Sequence, residues 1–151
     1  ASSLGGGIFS VVPFVNSVVI KWFDTEPYTP EAERILLAYE QGIFTLLAPD
    51  LLPAEVGNII WKKHTLLRRW TAMEAQEALE KFEALTFTLT PTRTLLDDAY
   101  HLAVTHQRTV FDALYLAVSL REQCPFITAN ERFANAVKST FSNVVWIGDW
   151  T

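Results

Sequence analysis

The chain has 151 residues, of which 50% are hydrophobic, and a formal net charge of −5 at pH 7. This length suits one domain with a real core and is too short for two comfortable ones. An excess of acids excludes the general positive field that draws nucleic acid from a distance, so any RNA binding must be local. The single cysteine, Cys124, excludes an internal disulfide and fits a reducing, cytoplasmic environment.

The amino-terminal segment, ASSLGGGIFS, is rich in serine and glycine. We interpret residues 1–10 as a flexible lead-in or an expression remnant, and residues 11–151 as the domain. The segment has no basic region and no apolar run of the ~20 residues that span a membrane, so we expect a soluble protein without a membrane partner. Residues 11–20 contain the first predicted strand.

The next segments alternate between helical and strand patterns. Thr29 begins a helix that Gly42 ends, because threonine followed by proline starts a helix well and glycine adopts the left-handed conformation after its last turn. Residues 43–47 form a short strand. Asp50 then caps a second helix, whose apolar face includes Lys63 with its charged tip free to reach solvent.

The second half of the chain continues this alternation. Thr71 and Glu74 have the spacing of a capping box, and they begin a helix that reaches Ala84. The elements that follow are a strand at 86–90, a helix at 92–106, a helix that starts near Asp112 and runs to Glu122, a strand at 124–128, a helix at 130–138 and a strand at 144–147. Strands that alternate with helices predict an α/β domain with a mostly parallel sheet.

Two acids and one amide lie near the starts of predicted helices. Glu55 follows the strand at 43–47, Asp112 opens the helix that ends at Glu122, and Asn130 opens the helix at 130–138. Each position has a plain structural explanation, because acids stabilise a helix start and asparagine caps one. A shared site is the alternative that the wider sequence favours.

Four strings, in this order and spacing, resemble the PIN-domain family and in particular the VapC toxins of bacterial toxin–antitoxin pairs. They are SVVIKWF, LLPAEVGN, VFDALYLAVS and ITANERFANAV. The resemblance extends over residues 11–146. It implies a single PIN-like α/β domain with a central parallel sheet flanked by helices, and a site at the carboxyl ends of the strands, where open α/β sheets place theirs.

The resemblance also implies a reaction, the Mg²⁺- or Mn²⁺-dependent hydrolysis of RNA phosphodiester bonds by an endoribonuclease. Hard cations prefer oxygen ligands, and clustered carboxylates hold such an ion. Matched to the family's pattern, Glu55 and Asp112 are two of its catalytic, metal-binding acids. Asn130 stands at a third position, with an amide where the family has an acid.

The family's first acid has no counterpart in residues 13–23. Direct matching places Val15 there, and a shift by one residue places Asn16, whose amide could bind the metal. Ser17 matches the small hydroxyl residue that accompanies the first acid. We expect Ser17 to contact the phosphate or a water of the metal site.

The site is therefore short of negative charge. Two unit charges about 4 Å apart interact by roughly 4 kcal/mol at an effective dielectric of 20, so missing carboxylates weaken a dication site strongly. One or two carboxylates with water and substrate phosphate can still hold one Mg²⁺, though not a permanent pair. Three interpretations stay open: a weakened ribonuclease, a catalytically impaired PIN-like module that binds RNA or protein, and a variant whose site acids were replaced.

One local positive feature lies in residues 61–70. Lys62, Lys63, Arg68 and Arg69 stand between two tryptophans, and cations beside aromatic rings can hold an RNA backbone while a base stacks. The alternative is a helix end whose cations favour the helix dipole and whose tryptophans belong to the core.

The resemblance implies partners as well. VapC-like chains form homodimers, and an antitoxin blocks them by laying its tail over the acidic cleft. The apolar segments at residues 35–39 and 59–67 offer surfaces for either partner, unless they belong to the core.

Overall fold

Strands and helices alternate in the structure, a computed structural model that describes residues 10–13, 20–23 and 29–149. The strands are β1 (Ser10–Pro13), β2 (Phe44–Pro49), β3 (Phe87–Thr90), β4 (Phe126–Thr128) and β5 (Val144–Trp146). The helices are α1 (Thr29–Glu40), α2 (Leu52–Trp61), α3 (Ala72–Glu83), α4 (Thr92–His106), α5 (Val110–Glu122) and α6 (Glu131–Val137). A π-helical turn at Lys62–Leu66 continues α2, and 3₁₀ turns lie at Ile20–Trp22 and Ile147–Asp149.

The strand pairs observed are all parallel. Strand β2 lies between β1 and β3, with Val12 opposite Leu46 and Leu47 opposite Thr88. Strand β4 pairs with β5, and β1 lies next to β4, which brings the two groups of strands together. Since parallel strands need crossover connections, helices separate them in the sequence. The predicted α/β domain with a central parallel sheet is confirmed.

Helix α5 is buried around its whole circumference from Ala113 to Ser119. A helix that is apolar on all sides lies inside a domain, and α5 packs against α4 and against strands β1 and β2. Leu46, Phe126 and Ile127, all fully buried, fill the core beside the strands. Because Asp112 directly precedes the buried stretch, packing of the core fixes the place of this acid.

Local capping signals were accurate where both partners are close in sequence. The Thr71 hydroxyl accepts from the Glu74 backbone at 3.1 Å, and the Glu74 carboxylate accepts from the Thr71 backbone at 3.0 Å, which completes the predicted capping box. Gly42 follows α1 with a φ of 77°, the left-handed conformation that a side chain would strain.

Two local predictions are wrong. Helix α2 follows Leu51 without a side-chain cap, and Asp50 Oδ1 instead accepts from the Thr92 backbone N–H at 2.9 Å, at the start of α4. Strands β2 and β3 are neighbours, so the residues after them meet. Lys63 does not reach solvent: it is 6% exposed, and its Nζ lies 5.4 Å from the centre of the Trp70 ring, where cation–π attraction offsets burial.

The predicted first strand lies partly outside the described residues. Strand β1 accounts for Ser10–Pro13, and residues 14–19 are not among those described. Within the described ranges, every helix is too short or too polar to cross a lipid bilayer.

Candidate active site

Glu55 lies in the first turn of α2, which begins just beyond the carboxyl end of β2. A proline in this first turn suits the helix start, and the Glu55 backbone N–H already donates to the Leu51 carbonyl at 3.1 Å. The carboxylate is partly buried. It therefore combines a favourable position at a helix start with an environment that disfavours its charge.

Asp112 lies in the first turn of α5, where Thr109 is the capping residue. The Thr109 hydroxyl accepts from the Asp112 backbone N–H at 3.1 Å. Asp112 is partly buried at the edge of the core. The hydroxyl at Thr109 and the guanidinium of Arg108 favour the charged form of this acid, and burial opposes it.

Both acids hold their protons more tightly than usual, and burial is the main cause for each. Burial raises the pKa of Glu55, and the charge of Asp112 raises it further, against a hydrogen bond from Tyr115 that lowers it. Burial also raises the pKa of Asp112, against the effects of Thr109 and Arg108. Two carboxylates that both hold their protons more tightly than usual form a site that a cation would stabilise.

Tyr115 is a site residue that the sequence reasoning missed. Its hydroxyl donates a hydrogen bond to Glu55 Oε1, and the residue is only 2% exposed. Burial and the neighbouring Glu55 raise the Tyr115 pKa, so the hydroxyl stays a neutral donor. The spacing to Asp112, three residues along α5, was the one available signal, because it places both side chains on one side of the helix.

Asn130 caps α6, two residues beyond the carboxyl end of β4. Its Oδ1 accepts from the Phe133 backbone N–H at 3.0 Å, and its own N–H donates to the Thr128 hydroxyl at 3.0 Å. The structural explanation offered by the sequence, a helix cap, is confirmed. A role in binding a metal stays a prediction, as do the roles of Asn16 and Ser17, which lie outside the described residues.

Among the residues that the structure describes, the oxygen donors of Glu55 and Asp112 suit one divalent cation and are too few for two. Among the described residues, no group of three or more histidine, cysteine or acidic side chains could hold a metal. Glu55 and Asp112 supply two hard oxygen donors, which suits an ion that keeps waters or a phosphate as its other ligands. A second ion would require more carboxylates than this part of the chain provides.

The basic segment divides into exposed and buried cations. Lys62, Arg68 and Arg69 are exposed, and Arg68 adopts a left-handed backbone with a φ of 50°. Lys63 is buried over Trp70 and therefore serves the packing of the loop. Trp61, which directly precedes Lys62, is 48% exposed.

Fold and acids together define a class of protein, a parallel α/β domain with two partly buried carboxylates at helix starts. Comparison with known families identifies it further. The model of the PIN domain matches residues 16–138. This chain therefore belongs to the PIN-domain family, as the four sequence strings predicted.

Named relatives agree with this assignment. Ribonuclease VapC3 of Pyrobaculum aerophilum is 32% identical over 121 residues, which cover 78% of this chain and 88% of that protein. The crystal structure of PAE2754 from the same organism superposes with a TM-score of 0.64 at 17% identity, covering 93% of this chain and 92% of that one. Mycobacterium tuberculosis VapC20, a toxin that cleaves the sarcin–ricin loop, superposes with a TM-score of 0.61 at 14% identity, covering 83% and 94%. The two structural matches support the fold.

Proposed function

We propose that this chain is a metal-dependent endoribonuclease of the VapC toxin type, which hydrolyses RNA phosphodiester bonds. The observation that carries the proposal is the placement of Glu55 and Asp112 on two helix starts of a PIN domain, joined by Tyr115, which lies three residues after Asp112 and donates a hydrogen bond to Glu55. The similarity to Ribonuclease VapC3 supports the choice of RNA as substrate. RNA is a cytoplasmic substrate, and the buried thiol of Cys124, whose pKa burial raises to about 12, is suited to a reducing compartment.

Nucleases of this family generally depend on a divalent metal, and Mg²⁺ or Mn²⁺ is our choice for this chain. Glu55 and Asp112 would hold the ion, with the amides of Asn130 and Asn16 as further oxygen donors. Such an ion, when bound, offsets the charge of the phosphate and makes hydroxide accessible at neutral pH. In this proposal the hydroxyl of Ser17 donates a hydrogen bond to the phosphate of the RNA.

Neighbouring side chains support the two acids in this proposal. The Tyr115 hydroxyl donates a hydrogen bond to Glu55 from the core side. The Thr109 hydroxyl accepts one from the Asp112 backbone N–H at the start of α5. Both acids are ionised when they act, since a protonated carboxyl group is a poor ligand. The partly buried setting excludes some of the water that would otherwise screen these charges.

A second candidate function follows from Asn130. With an amide at that position and its oxygen used as a helix cap, the site has less charge than a full set of acids would give. A catalytically impaired PIN-like domain that binds RNA or protein is therefore the alternative. Cleavage of RNA by the purified chain separates the two.

Lys62, Arg68 and Arg69 form the RNA-binding surface in this proposal, with the exposed ring of Trp61 as a stacking platform. Lys63, also predicted from the sequence to bind RNA, is left out because it is buried. Contacts of cations with phosphates release counterions, so RNA affinity would fall steeply with salt, by close to one logarithmic unit per contact for each tenfold rise.

A second copy of the chain docks on the α4 face, which we define as Leu96, Tyr100 and Val104. These residues recur every four positions and are 54%, 54% and 61% exposed. Their spacing is symmetrical about Tyr100, so a two-fold axis there sets Leu96 of one copy against Val104 of the other.

The antitoxin is the other partner in this proposal. Of the apolar segments considered from the sequence, Ile35 and Ile60 are buried and belong to the core. Leu66 and Leu67 are 59% and 56% exposed, next to the basic residues. An antitoxin tail with apolar and acidic side chains would pack on this surface and continue over Glu55 and Asp112.

The test of the proposed function is cleavage of a circular RNA by the purified chain with Mn²⁺ or Mg²⁺, with and without a chelator. An endoribonuclease linearises the circle, which an exonuclease cannot do. Metal-dependent linearisation supports the ribonuclease. Binding of the circle without linearisation, at any concentration of metal, favours the impaired module.

A further inference from the structure

Tyr115 connects the two helices that carry the acids. It lies three residues after Asp112 on α5, and its hydroxyl donates to Oε1 of Glu55, a residue 60 positions earlier on α2. Side chains three apart on a helix share a face, so Tyr115 and Asp112 approach Glu55 from the same element. One buried side chain thus links the positions of both carboxylates.

Packing of the core alone does not require the hydroxyl group of Tyr115. Its neighbours Leu114 and Leu116 are 5% and 2% exposed, and phenylalanine would fill the same volume in such a core. A buried hydroxyl is unfavourable unless it is hydrogen-bonded, and here the acceptor is the carboxylate of Glu55. The hydroxyl of Tyr115 is therefore explained by its hydrogen bond to the Glu55 carboxylate and not by packing in the core.

We propose that Tyr115 is a positioning residue, whose hydroxyl holds one oxygen of Glu55 and so fixes where the other oxygen meets a divalent cation. The proposal rests on the proposed function, since the cation is the one that the nuclease would use. A site with few carboxylates depends more on each of them. A glutamate side chain that is free to rotate loses conformational entropy when it binds an ion. Because Tyr115 already restricts the rotamers of Glu55, this entropic cost of ion binding is smaller.

The chain offers a matched control for this role. Tyr39, on α1, also uses its hydroxyl in one hydrogen bond, accepting from the Thr86 backbone N–H at 2.8 Å. Tyr115→Phe and Tyr39→Phe each delete one hydroxyl of the same kind, and only the first touches Glu55. Circular dichroism and thermal unfolding of both variants establish that they are folded at the temperature of the assay.

The experiment is calorimetric titration of Mn²⁺ into the unaltered chain and the two variants. Groups that orient a metal ligand typically change affinity by 10–100-fold, so Tyr115→Phe is expected to weaken Mn²⁺ binding by roughly tenfold or more. The Mn²⁺ affinity of Tyr39→Phe is expected to stay within about twofold of that of the unaltered chain, because the Tyr39 hydroxyl bonds the Thr86 backbone N–H and not an acid of the site. Glu55→Asp, which keeps the charge but withdraws the carboxylate from Tyr115, is expected to weaken binding as well.

Three results would overturn the assignment: no Mn²⁺ binding by the unaltered chain, unaltered affinity of Tyr115→Phe, or unaltered affinity of Glu55→Asp. RNA cleavage is then measured over a range of Mn²⁺ concentrations. Rescue of Tyr115→Phe by higher Mn²⁺ is expected for a positioning role, and a loss of activity that no concentration restores contradicts it. If Mn²⁺ binding depends on Tyr115 while the unaltered chain cleaves no RNA, the ribonuclease proposal fails and the role of Tyr115 stands.

Discussion

At Asn130, the difference between an amide and a carboxylate is one terminal group, and it would change the charge of the proposed metal site by a full unit. Aspartate caps a helix as well as asparagine does, so Asn130→Asp keeps the hydrogen bond that Asn130 Oδ1 now accepts from Phe133. We expect the variant to bind Mn²⁺ at least about tenfold more tightly, a fraction of the roughly 4 kcal/mol that a charge pair about 4 Å apart can contribute. Calorimetric titration measures this change, and RNA cleavage is expected to rise with it.

Asn135→Asp is the control for added charge. Asn135 is exposed on the same helix, α6, away from the capping position. A general effect of negative charge would raise affinity in both variants. No gain in either binding or cleavage for Asn130→Asp would contradict the assignment of Asn130 to the metal site.

Glu55 gives the protein a pH-dependent stability with an unusual sign. Burial, and the charge of Asp112, raise the pKa of Glu55, so the folded state binds this proton more tightly than the unfolded chain does. Between the unfolded and folded pKa the native state holds more protons, and stability then falls as the pH rises. Above the folded pKa the charged carboxylate destabilises the fold by a constant amount.

Glu55→Gln is therefore expected to raise the Tm by a few degrees at about pH 8, and to leave it nearly unchanged at about pH 3.5, where the carboxyl group is protonated in both states. Thermal unfolding at the two pH values measures the difference. Glu77→Gln, on the exposed side of α3, is the control and should shift neither. A lower Tm for Glu55→Gln at the higher pH would show that Glu55 stabilises the fold when charged.

At the scale of elements, the start of α4 depends on a residue outside it. Asp50 follows β2 and its carboxylate accepts from the Thr92 backbone N–H at 2.9 Å. Asp50→Ala should lower the free energy of unfolding by about 1 kcal/mol, the usual cost of a lost cap. Urea denaturation measures it. Asp97→Ala, which removes an aspartate 89% exposed on α4, is the control and should change stability by less than about 0.5 kcal/mol.

The elements that the sequence predicted well are those with local signals. Thr71 and Glu74 are three residues apart, and Thr92–His106 was predicted with its observed bounds because its apolar residues recur at helical spacing. Asp50 was assigned to α2 because sequence reasoning favours the nearest helix start. Its true partner lies 42 residues away and meets it only because β2 and β3 are adjacent.

For the candidate site, too, partners that are distant in the sequence could not be predicted. Glu55 and Asp112 were predicted from resemblance, and the structure places both in the first turn of a helix, while their role in a metal site stays a prediction. Tyr115 was not identified, because its partner is 60 residues away and a tyrosine within an apolar helix is ordinarily a core residue. Lys63 was misplaced for a related reason: only the folded loop brings Trp70 beneath it.

At the scale of the whole molecule, the α4 face is expected to hold two copies together. Tyr100→Asp places a charge on the proposed two-fold axis, where it would face its own copy, and should convert the dimer to a monomer. Light scattering on a size-exclusion column measures the mass. Met73→Asp, at a residue 73% exposed on α3, is the control and should leave the dimer intact. A monomeric unaltered chain, or a dimeric Tyr100→Asp, would contradict the interface.

The central claim is that the acids on α2 and α5 are the catalytic centre of a ribonuclease. The most direct test is the rate of Mn²⁺-dependent linearisation of circular RNA by the unaltered chain, Asp112→Asn and the exposed control Asp97→Asn. We predict that Asp112→Asn is slower by about 100-fold or more, since charge stabilisation worth several kcal/mol is lost, and that Asp97→Asn is unchanged. Equal rates for Asp112→Asn and the unaltered chain, or linearisation that a chelator does not stop, would contradict the account.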